Sequence, residues 1–352
     1  MGEPSGAFSV GTLGLEAMTG TQALLPVKGQ VELELQDGGG IAGDQGTIRV
    51  KSANRGRGTT KVVAGRYSAG GSLPFAVTPD KGTSKLFYCA LANLTPSALT
   101  QGQIPHVFKP ANDGAGPILR PFTWQEKFGD TWIVNANQYV TRLVLRGATD
   151  GLLTGSVDCV GAGPNCLELA YDAEQSDAGI VASSLDPFVF WGSAVQLAGA
   201  TTYETGNWEI THETGFALQY ALGCGRAARR GTAGEAKTTG SFDMVFADDT
   251  EYKRWMGNAR TARPYTPSNL LTPLTMQLKY VSGPHSLQVD LPAAYYTGPG
   301  GPKVEDKKNG AVTQRLTFET KWDLASAADI IITLINAELD AAITTVGTPI
   351  PA

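Results

Sequence analysis

Arg315-Leu316-Thr317-Phe318-Glu319-Thr320-Lys321-Trp322 is the stretch on which the fold class turns. Leu316, Phe318 and Trp322 fall on one side of an extended chain, and Arg315, Thr317, Glu319 and Lys321 on the other. A period of two marks a strand with one face in a core and one in water. Val31-Glu32-Leu33-Glu34-Leu35-Gln36 and Thr275-Met276-Gln277-Leu278-Lys279-Tyr280 divide the same way. One-sided strands of this kind belong to antiparallel sheets.

Helical patterning is sparse beside this. One short helix is predicted from Asp249 to Asn258, capped by Asp248 with Glu251 three residues later. A second is predicted from Gly82 to Asn93, around Leu86, Phe87 and Leu91. Long helices do not alternate with strands, which argues against a doubly wound nucleotide-binding fold. Exposed loops are expected over Tyr295 to Gly310 and over Asp37 to Gly46, where glycine accumulates. The prediction is a mainly β protein.

Composition narrows the function. Charged residues make up 17% of the 352, against about 25% in an ordinary soluble domain. With 28 basic and 33 acidic residues the net charge is −5, so this is not a net-basic nucleic-acid binder. A hydrophobic content of 42% is too high for a disordered chain. The 43 glycines have no three-residue period, which excludes collagen. The length favours two units, and the low charge points to a surface covered by other chains. Met1-Gly2-Glu3-Pro4-Ser5-Gly6 has neither the basic nor the apolar region of a signal peptide, and Gly6 stands where a myristoylation signal needs Ser or Thr. The run Ile330-Ile331-Ile332-Thr333-Leu334-Ile335 is too short to span a membrane. The chain is expected to stay in the cytoplasm after synthesis. Cys89, Cys159, Cys166 and Cys224 match no zinc or redox spacing and read as small buried residues.

The sequence also repeats itself in order. Gly71-Ser72-Leu73-Pro74-Phe75-Ala76-Val77 aligns with Gly240-Ser241-Phe242-Asp243-Met244-Val245-Phe246, each followed by an Asp and a short helix candidate. Pro121-Phe122-Thr123-Trp124-Gln125-Glu126-Lys127-Phe128 aligns with Pro273-Leu274-Thr275-Met276-Gln277-Leu278-Lys279-Tyr280. Val140-Thr141-Arg142-Leu143-Val144-Leu145 resembles Val312-Thr313-Gln314-Arg315-Leu316-Thr317-Phe318. The expectation is two tandem units, 1–195 and 196–352, each a β-unit with one short helix. A basic, Gly-rich loop precedes the Gly-Ser strand in both: Arg55, Arg57 and Lys61 in the first, Arg226, Arg229 and Arg230 in the second. These are candidates for inter-subunit pairing with acidic residues, which an acidic chain favours, or for DNA phosphates.

Gly14-Leu15-Glu16-Ala17-Met18-Thr19-Gly20-Thr21 resembles the opening of major tail tube proteins of long-tailed bacteriophages. Gly71 to Pro79 followed by Lys85 to Leu91 is similar to that family's strand-then-helix signature. Tyr139 to Leu145 with Gly155 to Gly161 is similar to its central hairpin, and Thr239 to Asp249 to its second-half strand and turn. Leu334-Ile335-Asn336 fits its ending. The resemblance implies a structural protein of the virion tail, assembled in the host cytoplasm. It implies a β-sandwich or partial barrel whose inner sheets join into rings, the rings stacking into the channel for genome ejection. Tandem members would close as a trimer with pseudo-sixfold symmetry, single-unit members as six copies. The implied partners are copies of itself, tape measure, tail terminator and distal tail proteins, and double-stranded DNA in transit without sequence-specific binding; no membrane is implied.

Elementary physics suits that reading. A bore wide enough for duplex DNA needs more strands than one chain supplies. Unpaired strand edges seek partners, and closing a ring removes them. A bore must also avoid tight phosphate binding, which a net charge of −5 allows. Thr123, Gln125, Lys127, Thr275, Gln277 and Lys279, on polar strand faces, are candidates for either the bore or the exterior.

No catalytic, cofactor or metal site is expected. His106, His212 and His285 lie far apart and no Gly-x-Ser-x-Gly elbow accompanies them. Gly161-Ala162-Gly163 lacks the third glycine of a dinucleotide loop. Asp248-Asp249 and Glu305-Asp306 read as a helix cap and a solvated loop rather than cation ligands. The second functional reading is a carbohydrate-binding or adhesive β-sandwich of a virion surface, with Trp124, Trp132, Trp191, Trp208, Trp255 and Trp322 as sugar-stacking candidates. Trp124 and Trp322 sit on apolar strand faces, which predicts core.

Overall fold

A computed structural model describes residues 11–350, apart from 20–21, 24–25, 34, 37–38, 52–58, 96–97, 100–101, 112–118, 129, 163–165, 167, 174, 176–179, 181–182, 200, 203–204, 223–225, 227, 229, 247–248, 257–270, 272, 299–302 and 305–311. Strand accounts for 61% of it and helix for 10%, so the mainly β expectation is met.

The N-terminal part of the chain forms β1 (Gly11–Leu15), β2 (Met18–Thr19), β3 (Gln22–Ala23), β4 (Val31–Leu33), β5 (Gly40–Lys51) and β6 (Thr59–Ala76). Helix α1 (Lys81–Leu91) follows, then β7 (Ala92–Thr95), β8 (Ile104–Pro110), β9 (Phe122–Phe128), β10 (Thr131–Gly147), β11 (Thr154–Gly161) and β12 (Glu168–Tyr171). The C-terminal part forms β13 (Ser193–Leu197), β14 (Thr201–Thr202), β15 (Thr205–Glu213), β16 (Ala217–Gln219), β17 (Arg230–Thr232) and β18 (Lys237–Val245). Helix α2 (Thr250–Trp255) is followed by β19 (Leu274–Ser282), β20 (His285–Thr297), β21 (Lys303–Val304), β22 (Val312–Thr320), β23 (Ile331–Asn336) and α3 (Asp340–Thr344).

Pairing is antiparallel throughout. In the N-terminal part β5 pairs with β6, β6 with β11, β11 with β10, β10 with β9, and β9 with β1. In the C-terminal part β15 pairs with β18, β18 with β22, β22 with β20, β20 with β19, and β19 with β13. Both β10 and β20 are long strands with a register break, and each serves two neighbourhoods. The first stretch of β10 lies between β9 and β12, and the first stretch of β20 between β19 and β23. Their later stretches turn to β11 and β22.

The repeated Gly-Ser motif sits where strands crowd. Gly71 of β6 faces Ile41 of β5, and a Cβ there would lie 1.9 Å from the Gly40 carbonyl oxygen. Gly240 of β18 faces Ile210 of β15, and a Cβ there would lie 2.5 Å from the Glu209 carbonyl oxygen and 2.3 Å from the Phe318 ring. A side chain does not fit at either place.

One apolar core runs through both parts. It includes Leu73, Phe75, Leu86, Phe87, Phe108, Trp124 and Val157, and also Phe242, Leu278, Leu316, Phe318 and Ile332. The parts interlock: β8 pairs with β23. The C-terminal segment returns to the first strands, where Lys28 N–H donates to Thr348 O at 2.7 Å and Gly347 N–H to Leu15 O at 2.8 Å. Helix α1 is buried from Gly82 to Leu91. Asp80 caps it by accepting from Thr83 N–H at 2.8 Å, and Phe87 meets Phe108 edge to face at 5.9 Å.

Several local expectations need correction. Gly40 to Gly46 is strand, not loop, because the glycines of β6 let β5 approach and pair. Within Tyr295 to Gly310, Tyr295 to Thr297 end β20 and Lys303–Val304 form β21; the rest lies outside the described residues. Helix α1 stops at Leu91 rather than Asn93, since Ala92 turns left-handed (φ 62°) and starts β7. Helix α2 spans Thr250 to Trp255; Asp248 and the predicted last two residues, 257–258, lie outside the described residues. Trp322 is 39% exposed, because β22 ends at Thr320 and the alternation ends with it. Val140–Leu145 lies in β10 and Val312–Phe318 in β22, two strands with different neighbours.

Candidate functional site

The later stretch of β10 has a second partner. Arg142 to Gly147 pair with Glu213 to Trp208 of β15, which fuses the two runs into one sheet: β5–β6–β11–β10–β15–β18–β22–β20. Alternation gives this sheet two unlike faces. Leu73, Phe75, Leu143, Leu145, Val157, Ile210, Phe242, Leu316 and Phe318 point into the core. The opposite face carries charge of both signs, and four ion pairs lie on it.

Arg142 Nε donates to Asp158 Oδ2 at 2.7 Å, from β10 to β11. Arg146 Nε donates to Glu209 Oε2 at 2.7 Å across the β10–β15 junction. Lys237 Nζ lies 3.0 Å from Glu319 Oε2, and Arg315 Nε 3.9 Å from Asp243 Oδ1. The Glu319 carboxylate raises the Lys237 ammonium above the ordinary lysine value. Exposed pairs of this kind add little to stability, because water screens them. Their larger effect is electrostatic: each of these four cations has a carboxylate beside it. A groove of about 530 Å3 crosses the junction on this face, lined by Arg146, Glu209, Ser241, Asp243 and Arg315 among others.

Two arms project from the sheet. One is the outer part of the β5–β6 hairpin, where the two strands pair only with each other. The other is the β16–β17 hairpin between β15 and β18. Arg226 joins them: its Nε donates to Gly65 O at 2.9 Å, and its carbonyl accepts from Tyr67 N–H at 2.9 Å. Arg66 stacks over the Tyr220 ring at 4.5 Å. Lys61 lies in β6 and Arg230 in β17; Arg55, Arg57 and Arg229 fall outside the described residues.

The polar-face candidates on β9 and β19 lie off this sheet, and they part company. Thr123 and Gln125 are each 1% exposed, so they face neither bore nor exterior. The segment around Val27 and Gln175 covers them: Val27 N–H donates to Thr123 Oγ1 at 3.1 Å, and Gln125 Nε2 to Gln175 O at 2.8 Å. Lys127, Thr275 and Lys279 are exposed, and Gln277 donates to Asp290 Oδ1 at 2.7 Å. The charged pairs were visible only in part beforehand. Arg315 and Glu319 stand on the polar side of the opening stretch, but their partners come from other strands.

The remaining candidates are structural. His106 is buried between Asp340 Oδ1 (2.6 Å) and Asn336 Oδ1 (2.7 Å). Burial lowers His212, which bonds Thr238 Oγ1 at 2.8 Å, and His285 bonds Gln103 Oε1 at 3.1 Å. Cys89, Cys159 and Cys166 are buried and unoxidised, and burial raises all three thiols. Among the described residues no group of three or more His, Cys, Asp or Glu could hold a metal, and no helix is long and apolar enough to cross a membrane. Trp124, Trp132 and Trp208 are core, which removes them as sugar platforms, and nothing supports the adhesive reading.

A search of curated proteins finds no match. A family model described as "Phage tail tube protein" matches residues 9–320. An antiparallel sheet with ion pairs along its polar face, and a family model that matches nearly the whole chain, leave one conclusion: the chain belongs to the phage tail tube proteins and is a structural subunit of the virion tail.

Proposed function

We propose that the chain is two tandem β-units and that three copies close a ring of pseudo-sixfold symmetry. The seam belongs just ahead of β13, a few residues before the 195/196 boundary expected from sequence, which would cut that strand. The support is the order of pairing. The run β5, β6, β11, β10, β9, β1 has the neighbours of β15, β18, β22, β20, β19, β13, and a short helix follows the second strand of each run. The repeats at Gly71/Gly240 and Phe122/Leu274 fall on corresponding strands in corresponding register.

The continuous sheet carries the functional reading. With eight strands per chain, three chains give a barrel of about 24, far beyond the roughly eight whose interior side chains fill. Six copies would double that, so three is favoured. The neutralised polar face lines the bore, and the core face turns outward. DNA then passes a wall whose cations are already paired, and no array of free phosphate contacts builds up to stall it. The rings stack into the tube, ended by terminator and distal tail proteins and measured by a tape measure protein. The chain performs no chemistry in this role.

Negative-stain microscopy of the purified chain tests this. Rings or tubes with a central channel are expected, with three chains per ring in end-on averages. Compact monomers at every concentration, with or without tail initiation factors, would sink the reading. Rings of six chains would replace the trimer.

A further inference from the structure

We propose that neighbouring copies of this chain join edge to edge in the register of the joint that already lies inside it. The proposal rests on the tandem-unit reading above and specifies which edges meet and in what register.

The internal joint has three parts. Strand β10 runs past its last pairing with β9, Gln138 opposite Phe122. Its continuation, Arg142 to Gly147, takes β15 as a new neighbour, with Arg142 opposite Glu213. Thr214 then donates its hydroxyl to Val140 O at 2.9 Å, and the arm folds over the first unit. Phe216 of that arm stacks on Tyr139, with ring centroids 4.7 Å apart and planes at 18°.

The receiving half of this joint begins a second time. Strand β20 runs past its last pairing with β19, Ala294 opposite Leu274, and continues through Tyr295 to Thr297 on β22. Tyr295 follows Ala294 as Tyr139 follows Gln138. Past Ala294, the described strands offer β20 no partner on the side away from β22.

The inserting half also occurs a second time. Strand β5 stands where β15 stands, and among the described strands it pairs only with β6. Side chains occupy its outer edge: Gly43 N–H donates to Glu168 Oε2 at 2.6 Å, and Asn135 Nδ2 donates to Ile41 O at 2.8 Å. These are caps on an edge that β15 fills with backbone. The arm beyond shows Ile48, Val62 and Val63 at 57, 62 and 51% exposure. The corresponding arm packs Phe216 and Leu218, both half-buried, against the cluster that contains Tyr139. One chain therefore ends in a socket at β20 and begins with a plug at β5, each matching the half it lacks. Head-to-tail contacts between such ends close rings, and the occupant is a second copy.

The register follows from the shared glycine-serine motif. Arg142 lies opposite Asp158, which lies opposite Ser72; Thr297 lies opposite Thr317, which lies opposite Ser241. Gly40 lies opposite Ser72 and Glu209 opposite Ser241. Four residues on, Asp44 corresponds to Glu213. Thr297 of one copy therefore faces Asp44 of the next, and Ile48 and Val63 of the next copy, which share a face as a cross-strand pair, lie over Tyr295.

The full chain carrying Asp44→Cys and Thr297→Cys, assembled and then oxidised, tests the register. Directly opposed antiparallel residues have Cα atoms about 4.5–5.5 Å apart, within disulfide reach. A non-reducing gel should show a covalent ladder up to the closed ring, absent from either single variant. Asp substitutions at Ile48 and Val63, the cross-strand pair on one face of the arm, make the second test. Both residues are exposed in the single chain, so circular dichroism and melting should be unchanged while rings are lost. Tubes that form without cross-links, or that tolerate both Asp substitutions, overturn the joint and leave the tube. An unaltered chain that never assembles overturns the tube reading and the joint together.

Discussion

Glu16 shows how much one residue of a recognisable motif can do. It follows β1 and is almost wholly buried. Its Oε1 accepts from Thr123 Oγ1 at 2.5 Å and from Asn137 N–H at 2.8 Å. Asn137 is left-handed (φ 55°) and sits in the register break of β10. Glu16 thus pins the bend at which β10 leaves β9 and turns to β15. Burial pushes its carboxyl up to about 7, from 4.5, with those two hydrogen bonds opposing the rise. Between these values the folded chain binds more protons than the unfolded one. Stability present at low pH is therefore lost as pH rises through about 4.5 to 7. We expect the urea midpoint to fall over that window by the equivalent of roughly 1–3 kcal/mol, and Glu16→Gln to flatten the fall. An unchanged slope in the variant would contradict this account. The sequence put Glu16 in a motif, but its burial depends on strands more than a hundred residues away.

At the scale of elements, the buried helix organises the second sheet layer. The pattern around Leu86, Phe87 and Leu91 marked α1 from the sequence, and the Asp80 cap marks its start. Lys85 could not be read that way, since a lysine within a helix is ordinarily solvated. Here it is fully buried, and its ammonium donates to Gln30 Oε1 at 3.0 Å, Ile343 O at 3.0 Å and Thr345 O at 3.3 Å. It ties helix α3 and the C-terminal segment onto α1. Lys85→Ala leaves buried carbonyls short of a donor, at about 1–3 kcal/mol for a group so stranded. We expect a lower melting temperature and, under limited proteolysis, early cleavage after β23. Equal protease resistance in the variant would mean that the latch is held elsewhere. The strand β5 was missed for the opposite reason. Its glycines look like a loop to local propensity, yet they permit the close pairing with β6 that makes the strand.

For the molecule as a whole, the question is which way the continuous sheet faces after assembly. Arg315 stands on the polar face with its side chain 68% exposed in the single chain. An Arg315→Cys variant should react with a small maleimide both free and in tubes. A maleimide-linked polymer wider than the bore should label it only when free, whereas an exterior face would be labelled in both states. Thr123 and Gln125 show why the sequence could not locate this face. Alternation along β9 distinguishes two sides of one strand but not whether a distant segment covers the polar side.

Alternation, turn chemistry and internal repetition together fixed a mainly antiparallel protein of repeated sequence, and these are local properties carried by side chains a few positions apart. The tertiary structure alone decided which strands neighbour which, that β10 passes from β9 to β15, and that charges from five different strands pair on one face. The physical reason is that strand pairing uses backbone groups every residue possesses, so partner choice is set by packing between residues remote in the chain.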